Sequence, residues 1–154
     1  MLLAIAPQAW RPPSRGVRVD GIDFAPKSEL HVTIVGRALG AQVRLAMAAD
    51  PALATAIDAT VASLDWSWTR DLAWWLLRKR ERGAGKASIA ETVALPAMLR
   101  FHARLGQLLG RTLPVPPPHV TLYVAGDMEG IGVPDEERWR RYVVRAISAD
   151  ELRA

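Results

Sequence analysis

The 154-residue sequence contains no cysteine and three histidines, and these shortages exclude several classes of function. Without cysteine there can be no disulfide, thiolate zinc site, iron–sulfur cluster or cysteine nucleophile. With so few histidines, a transition-metal site would need carboxylates to complete its ligands. The function of this chain therefore needs neither thiols nor a histidine-rich metal centre.

Long apolar runs and a basic leader are also missing. No uninterrupted apolar segment approaches the roughly 20 residues of a membrane-spanning helix. Residues 1–9 are apolar, but they carry no positive charge and form too short a run for a signal peptide. We therefore expect a cytoplasmic protein that does not associate with membranes. No pattern indicates a dimer seam, so a monomer is the expected state.

The length and composition are typical of one globular unit. Half of the residues are hydrophobic (50%) and 23% are charged, so a packed core is expected rather than disorder. The length predicts a single domain over residues 1–154. A net charge of +4 is compatible with an anionic ligand but does not require one.

Strand and helix patterns alternate along the chain and predict an α+β fold. Residues 1–26 indicate a loop with one or two short strands, one of them over Val17–Val19. Period-two alternation and β-branched or aromatic residues predict strands over 30–35, 71–78, 88–95 and 119–124. Helical spacing of apolar residues predicts helices over 41–64, divided at Asp50-Pro51 with Asp50 as an N-cap, and over 96–109. Residues 136–144 fit either a short helix or an edge strand.

One short pattern occurs twice. His31-Val32-Thr33-Ile34 lies in the first predicted strand, and His119-Val120-Thr121-Leu122 lies in the last of the four. Because side chains at positions i and i+2 leave the same face of a strand, each copy presents an imidazole beside a hydroxyl. The intervening apolar residues face the other way, into a core.

Two such copies have the groups that metal-free phosphodiester cleavage needs. One copy alone is typical of the polar face of a half-buried strand, but the two copies hold two of the three histidines. A neutral histidine can accept a proton from the attacking oxygen while a protonated one donates to the leaving oxygen. A pKa near 6.5 suits one residue type to both roles. The threonine hydroxyls can donate hydrogen bonds to the non-bridging phosphate oxygens.

The doubled pattern resembles the signature of the 2H (two-histidine) phosphoesterase superfamily, which includes bacterial 2′-5′ RNA ligase-like proteins and cyclic phosphodiesterases. That signature is histidine, any residue, serine or threonine, and a hydrophobic residue, present twice. The resemblance implies a bilobal, pseudo-two-fold α+β fold with two antiparallel sheets, helices packed outside and a central cleft. It implies hydrolysis without a metal or cofactor. The substrate would be a 2′,3′-cyclic phosphate or 2′-5′ linkage of a nucleotide or RNA end, and the catalytic set would be His31, Thr33, His119 and Thr121.

Other residues are candidates for substrate contacts. Tyr123 extends the face of His119 and Thr121, and it could equally be a tyrosine at the cleft rim. Arg70 suits a bidentate phosphate contact and Trp74 suits stacking on a base, although tryptophans this closely spaced are more often core. His102 lies on the apolar stripe of its predicted helix and is interpreted as structural. The basic run 78–86 fits either a nucleic-acid contact or a solvated turn.

Several alternatives remain open at this point. The same fold could act on a cyclic oligonucleotide or on an ADP-ribose cyclic phosphate, or could catalyse the reverse reaction and join RNA ends. A non-catalytic RNA- or nucleotide-binding module would keep the cleft and use the arginines. The sequence does not assign the base and the acid between the two histidines.

Overall fold

The structure is a computed structural model that describes residues 1–80, 85–126 and 128–153 of the chain. Within these ranges it has an α+β fold with eight strands and four helices. The strands are β1 (Leu2–Ile5), β2 (Val17–Val19), β3 (Ile22–Pro26), β4 (Leu30–Thr33), β5 (Thr69–Lys79), β6 (Lys86–Ala94), β7 (His119–Ala125) and β8 (Val143–Ile147). The helices are α1 (Arg37–Ala49), α2 (Pro51–Ser63), α3 (Ala97–Leu108) and α4 (Glu136–Tyr142).

The strands form one antiparallel sheet in the order β1-β4-β7-β6-β5-β8, and β3 attaches the β2–β3 hairpin to β7. The expected division into two sheets is not found among the described residues. The reason is β7, which pairs with β4 at Val32–Val120 and with β3 at Ala25–Val124. Strands from the two ends of the chain therefore share hydrogen bonds along one sheet.

Apolar side chains cover both faces of this sheet. The larger core lies between the sheet and helices α2 and α3, which contribute residues such as Ile57, Phe101 and Leu105. A smaller cluster on the opposite face packs α4 against β5 and β6, with Trp139 and Tyr142 at its centre. Leu76 belongs to the larger core and Leu77 to the smaller cluster, as the alternation of side chains along a strand requires.

Local signals in the sequence predict several element boundaries correctly. The Asp50 carboxylate accepts a hydrogen bond from the Ala52 backbone N–H at 2.9 Å, so Asp50 is the N-cap of α2 as predicted. Helix α3 follows Pro96, and Gly110 lies just beyond its end with a φ of 66°. Region 136–144 combines both predicted alternatives, because α4 ends at Tyr142 and β8 begins at Val143.

The first 26 residues hold more strand than the sequence predicts. They contain three short strands, of which β2 has the predicted range Val17–Val19. Strand β1 pairs with β4 over its full length, from Leu2–Thr33 to Ile5–Leu30. A strand this short depends on its partner for its hydrogen bonds, so its own sequence carries little signal. Among the described residues, no helix is long and apolar enough to cross a membrane.

Candidate active site

The two copies of the repeated pattern lie side by side in the sheet. Val32 of β4 is paired with Val120 of β7, and both valines are fully buried in the larger core. Antiparallel pairing about this point places His31 beside Thr121 and Thr33 beside His119. All four side chains lie on the face of the sheet opposite to the two valines. The two histidines are diagonal neighbours, for which the Cβ atoms lie about 7–8 Å apart. The sheet therefore presents two imidazoles and two hydroxyls as one symmetric group.

All four side chains line a single cavity of about 480 Å³. A volume in this range suits a small-molecule ligand such as a nucleotide. The walls come from the start of α1, from the segment after α3 and from the loop that follows β7. The cavity is thus built from segments distant in sequence around the four residues of the doubled pattern.

The start of helix α1 gives the cavity an anion-binding feature. Gly36, Arg37 and Ala38 line the cavity, and Gly36 is an N-cap residue that provides no side-chain hydrogen bond. The first turn contains no acidic residue. The first N–H groups of a helix lack partners within it and carry the positive end of its dipole. They are therefore suited to a phosphate oxygen.

Three cations line the cavity, Lys27, Arg37 and Arg111, and the carboxylate of Glu129, which also lines it, offsets part of their charge. Lys27 Nζ donates to the carbonyl of Met128 at 2.8 Å, and Arg37 pairs with Glu129 at 3.0 Å. These contacts also tie the loop after β7 to the opposite wall. Sequence reasoning missed all three cations because no motif marks them. The only usable signal was that Lys27 and Arg37 flank the first copy of the pattern.

A hydrogen bond to the backbone orients His119. Its Nδ1 lies 2.7 Å from the carbonyl oxygen of Pro117, which can only accept, so Nδ1 carries the proton and Nε2 is free to exchange one. The ring packs against Trp139 of α4 with centroids 5.2 Å apart. Burial lowers the pKa of His119, the Pro117 hydrogen bond opposes this, and the nearby His31 lowers it further.

The pKa of His31 is also lowered. Burial is the main cause, the positive charge of Lys27 acts in the same direction, and Glu29 acts against both. The imidazoles of His31 and His119 are therefore both biased toward the neutral form in the free protein. A phosphate bound between them would reverse this bias, because its negative charge stabilises an imidazolium.

Tyr123 does not extend the face of His119 and Thr121, so that prediction is wrong. Thr121 pairs with Ala90 while Tyr123 pairs with the adjacent Ile89, which leaves Leu122 as an extra residue in β7. Such a bulge shifts the alternation of side chains by one position. Tyr123 therefore points into the larger core and is only 6% exposed.

Arg70 and Trp74 also lie away from the cavity, contrary to the prediction that they contact substrate. Both bind the carboxylate of Glu91, which is 0% exposed: Arg70 donates from Nε and a terminal nitrogen at 2.7 and 2.6 Å, and Trp74 Nε1 donates at 2.7 Å. Glu91 is paired with Val120, so it shares the face of Val120 and not that of His119. The buried carboxylate needs donors, and Arg70 and Trp74 supply them.

His102 of α3 is 1% exposed, and neither ring nitrogen has a hydrogen-bond partner among the described residues. Burial lowers its pKa, so the ring is held neutral against Phe101. The buried ring is compatible with the predicted structural role, although His102 also borders the cavity that His31 and His119 line. Within residues 1–80, 85–126 and 128–153, no cluster of three or more histidine, cysteine, aspartate or glutamate side chains is arranged to hold a metal ion.

Comparisons with known proteins add no name to this site. No family model, curated protein or solved structure matches the chain. The functional inference therefore depends on the residues of the cavity and their geometry.

Proposed function

We propose that this protein is a metal-independent phosphoesterase of the 2H type. It hydrolyses a nucleotide phosphodiester, a 2′,3′-cyclic phosphate or a 2′-5′ linkage of a nucleotide or RNA, by two-histidine acid–base catalysis. The observation that carries the proposal is the β4–β7 pairing at Val32–Val120, which brings His31, Thr33, His119 and Thr121 to one cavity. Like any antiparallel pair, β4 and β7 relate the two copies by a local two-fold axis, an arrangement compatible with this proposal.

In the proposed reaction, water attacks phosphorus on the side opposite the leaving 2′ or 3′ oxygen. A neutral imidazole accepts a proton from the water as the new P–O bond forms. The second imidazole, protonated, donates a proton to the leaving oxygen as the ester P–O bond breaks. One water is consumed, a phosphomonoester and a free hydroxyl are produced, and the two histidines finish with their protonation states exchanged.

Charge in the transition state is stabilised by neighbouring donors. Thr33 and Thr121 each lie beside the histidine of the other strand, in position to donate to the non-bridging oxygens. The N–H groups at the start of α1 and the cations Lys27 and Arg37 add positive potential from the cavity wall. Fixed donors of this kind are effective because they need little reorganisation during the reaction.

We expect the purified protein to hydrolyse nucleoside 2′,3′-cyclic monophosphates in the presence of excess EDTA. The histidines supply both proton transfers, so removing divalent ions should leave the rate within about twofold. The measurement is ³¹P NMR of a substrate panel that also includes 2′-5′-linked dinucleotides, ADP-ribose cyclic phosphate and cyclic dinucleotides. The His31→Ala/His119→Ala double variant, purified in parallel, controls for contaminating enzymes.

Two outcomes would contradict the proposal. One is the absence of turnover on every phosphodiester of the panel, which would leave only a binding module. The other is activity that EDTA abolishes and a divalent ion restores.

A further inference from the structure

A second cavity, of about 510 Å³, lies at the end of β5, where α4 meets β8. Its described lining residues include five cations, and none of these lining residues is acidic: Arg78, Lys79 and Arg80 from β5 and the residue after it, and Arg138 and Arg141 from α4. This concentration of one sign of charge predicts an anionic ligand. Residues 81–84 of the basic run lie outside the described residues.

The cations differ in how far their charge is compensated. Arg78 pairs with Asp20 at 3.3 Å, and Arg138 donates to the Tyr142 hydroxyl at 3.3 Å. Asp135 and Glu137 partly offset the charge of Arg138. Arg80 and Arg141 are exposed and form no ion pair with any residue that the structure describes. The cavity therefore keeps a net positive charge, which a polyphosphate ligand would neutralise.

Helix α4 connects this basic cavity to the candidate active site. Trp139 packs on the His119 ring, whereas Arg138 and Arg141 line the basic cavity. At about 100° per residue, the side chains of Arg138 and Arg141 leave the helix about 100° and about 160° from that of Trp139. A helix of seven residues is only about 10 Å long. The two sites are thus on different sides of one short helix. Arg78 pairs with Ala87 of β6, five residues or about 17 Å along that strand from the Thr92 that pairs with His119, so a ligand that reaches both sites must be several nucleotides long.

We propose that the basic cavity binds backbone phosphates of a single-stranded oligonucleotide whose terminal phosphodiester occupies the His31–His119 cavity. The preferred substrate is then an RNA end and not a mononucleotide. This inference rests on the proposed function for the reacting end, but the binding of a strand in the basic cavity can be tested without turnover. Cationic grooves beside the reacting site are how single strands are commonly held along their backbone.

The test compares two double variants with the same change of charge. Arg138→Gln/Arg141→Gln removes cations from the basic cavity, whereas Arg100→Gln/Arg104→Gln removes exposed arginines from α3, on the other face of the sheet. Binding of a fluorescein-labelled ten-nucleotide RNA with a 3′-hydroxyl is followed by anisotropy at several salt concentrations. Arg141→Gln alone is included because the described residues show no contact that its loss would break.

We expect the first double variant to weaken RNA binding by roughly tenfold or more. The slope of log Kd against log salt should fall by about 1.4, or 0.7 for each lost phosphate contact. The α3 control should change the Kd by less than about threefold. In turnover assays, the first variant should raise KM for an oligonucleotide ending in a 2′,3′-cyclic phosphate. Its kcat/KM for the cyclic mononucleotide should be unchanged.

The binding and turnover arms separate two kinds of failure. If no phosphodiester is hydrolysed but RNA binding still depends on Arg138 and Arg141, the phosphoesterase proposal is contradicted and the RNA-binding site in the basic cavity is supported. If both double variants weaken RNA binding equally, the basic cavity has no special role and the inference is wrong. It is also wrong if anionic lipid vesicles bind in an Arg141-dependent way while the RNA does not.

Discussion

Replacing either His31 or His119 by alanine should lower the turnover of a 2′,3′-cyclic phosphate by at least about 100-fold, and by up to about 10⁴-fold. Each variant removes one of the two proton transfers that the proposed reaction needs. The effects should not add: because the two imidazoles act as a unit, the double variant should be only slightly slower than either single one. Single-turnover kinetics measures the chemical step directly.

Both alanine variants are expected to fold. Both histidines are partly exposed on the cavity side of the sheet, while the buried valine pair between them is untouched. Both variants should therefore keep the circular dichroism spectrum of the parent, while His119→Ala should have a somewhat lower Tm because it loses the Pro117 hydrogen bond and the Trp139 contact. A single variant that retains more than a tenth of the parent rate would show that the histidine in question is not part of the chemistry.

Replacing Arg70 by alanine should lower the free energy of unfolding by up to about 3–5 kcal/mol, the usual cost of leaving a buried charge without its partner, and the 36% exposure of the Arg70 side chain reduces this loss. The Glu91 carboxylate is completely buried and would lose two of its three hydrogen bonds. The guanidinium also lies 4.1 Å from the centroid of the Trp10 ring, a contact that alanine removes. Urea or guanidinium denaturation measures the loss.

The double variant Arg70→Met/Glu91→Met provides the matched control. It removes both charges, and we expect it to be much closer to the parent in stability than Arg70→Ala, because no unpaired charge remains. Loss of less than about 1 kcal/mol in Arg70→Ala would contradict the structural role. An unchanged stability together with a raised KM would also contradict it, because that result would indicate that Arg70 contacts the substrate.

The arrangement of the doubled pattern follows from simple rules that act along the chain. Period-two alternation predicts that His31 and Thr33 share one face, and likewise His119 and Thr121, and the four side chains do line one cavity. The cap of α2 is equally local, since Asp50 and Pro51 suffice to predict it. The alternation does not predict that β4 pairs with β7, because this pairing joins distant parts of the chain.

The incorrect predictions have non-local causes. Tyr123 left the predicted face because of a bulge in β7, and the bulge is visible only in the register against β6. Arg70 and Trp74 were assigned to substrate, although a buried carboxylate in the neighbouring strand determines where they point. The presence of Glu91 among apolar residues of its strand was the available signal, since a buried acid requires donors nearby.

The central claim is that His31 and His119 share one phosphate, and NMR titration of the two imidazoles tests it most directly. In the free protein both pKa values should lie below the ordinary value of 6.5. With a saturating nucleoside 2′-monophosphate, or with inorganic phosphate, both pKa values should rise, because the anion stabilises each imidazolium. A rise at only one histidine, or at neither, would contradict the account.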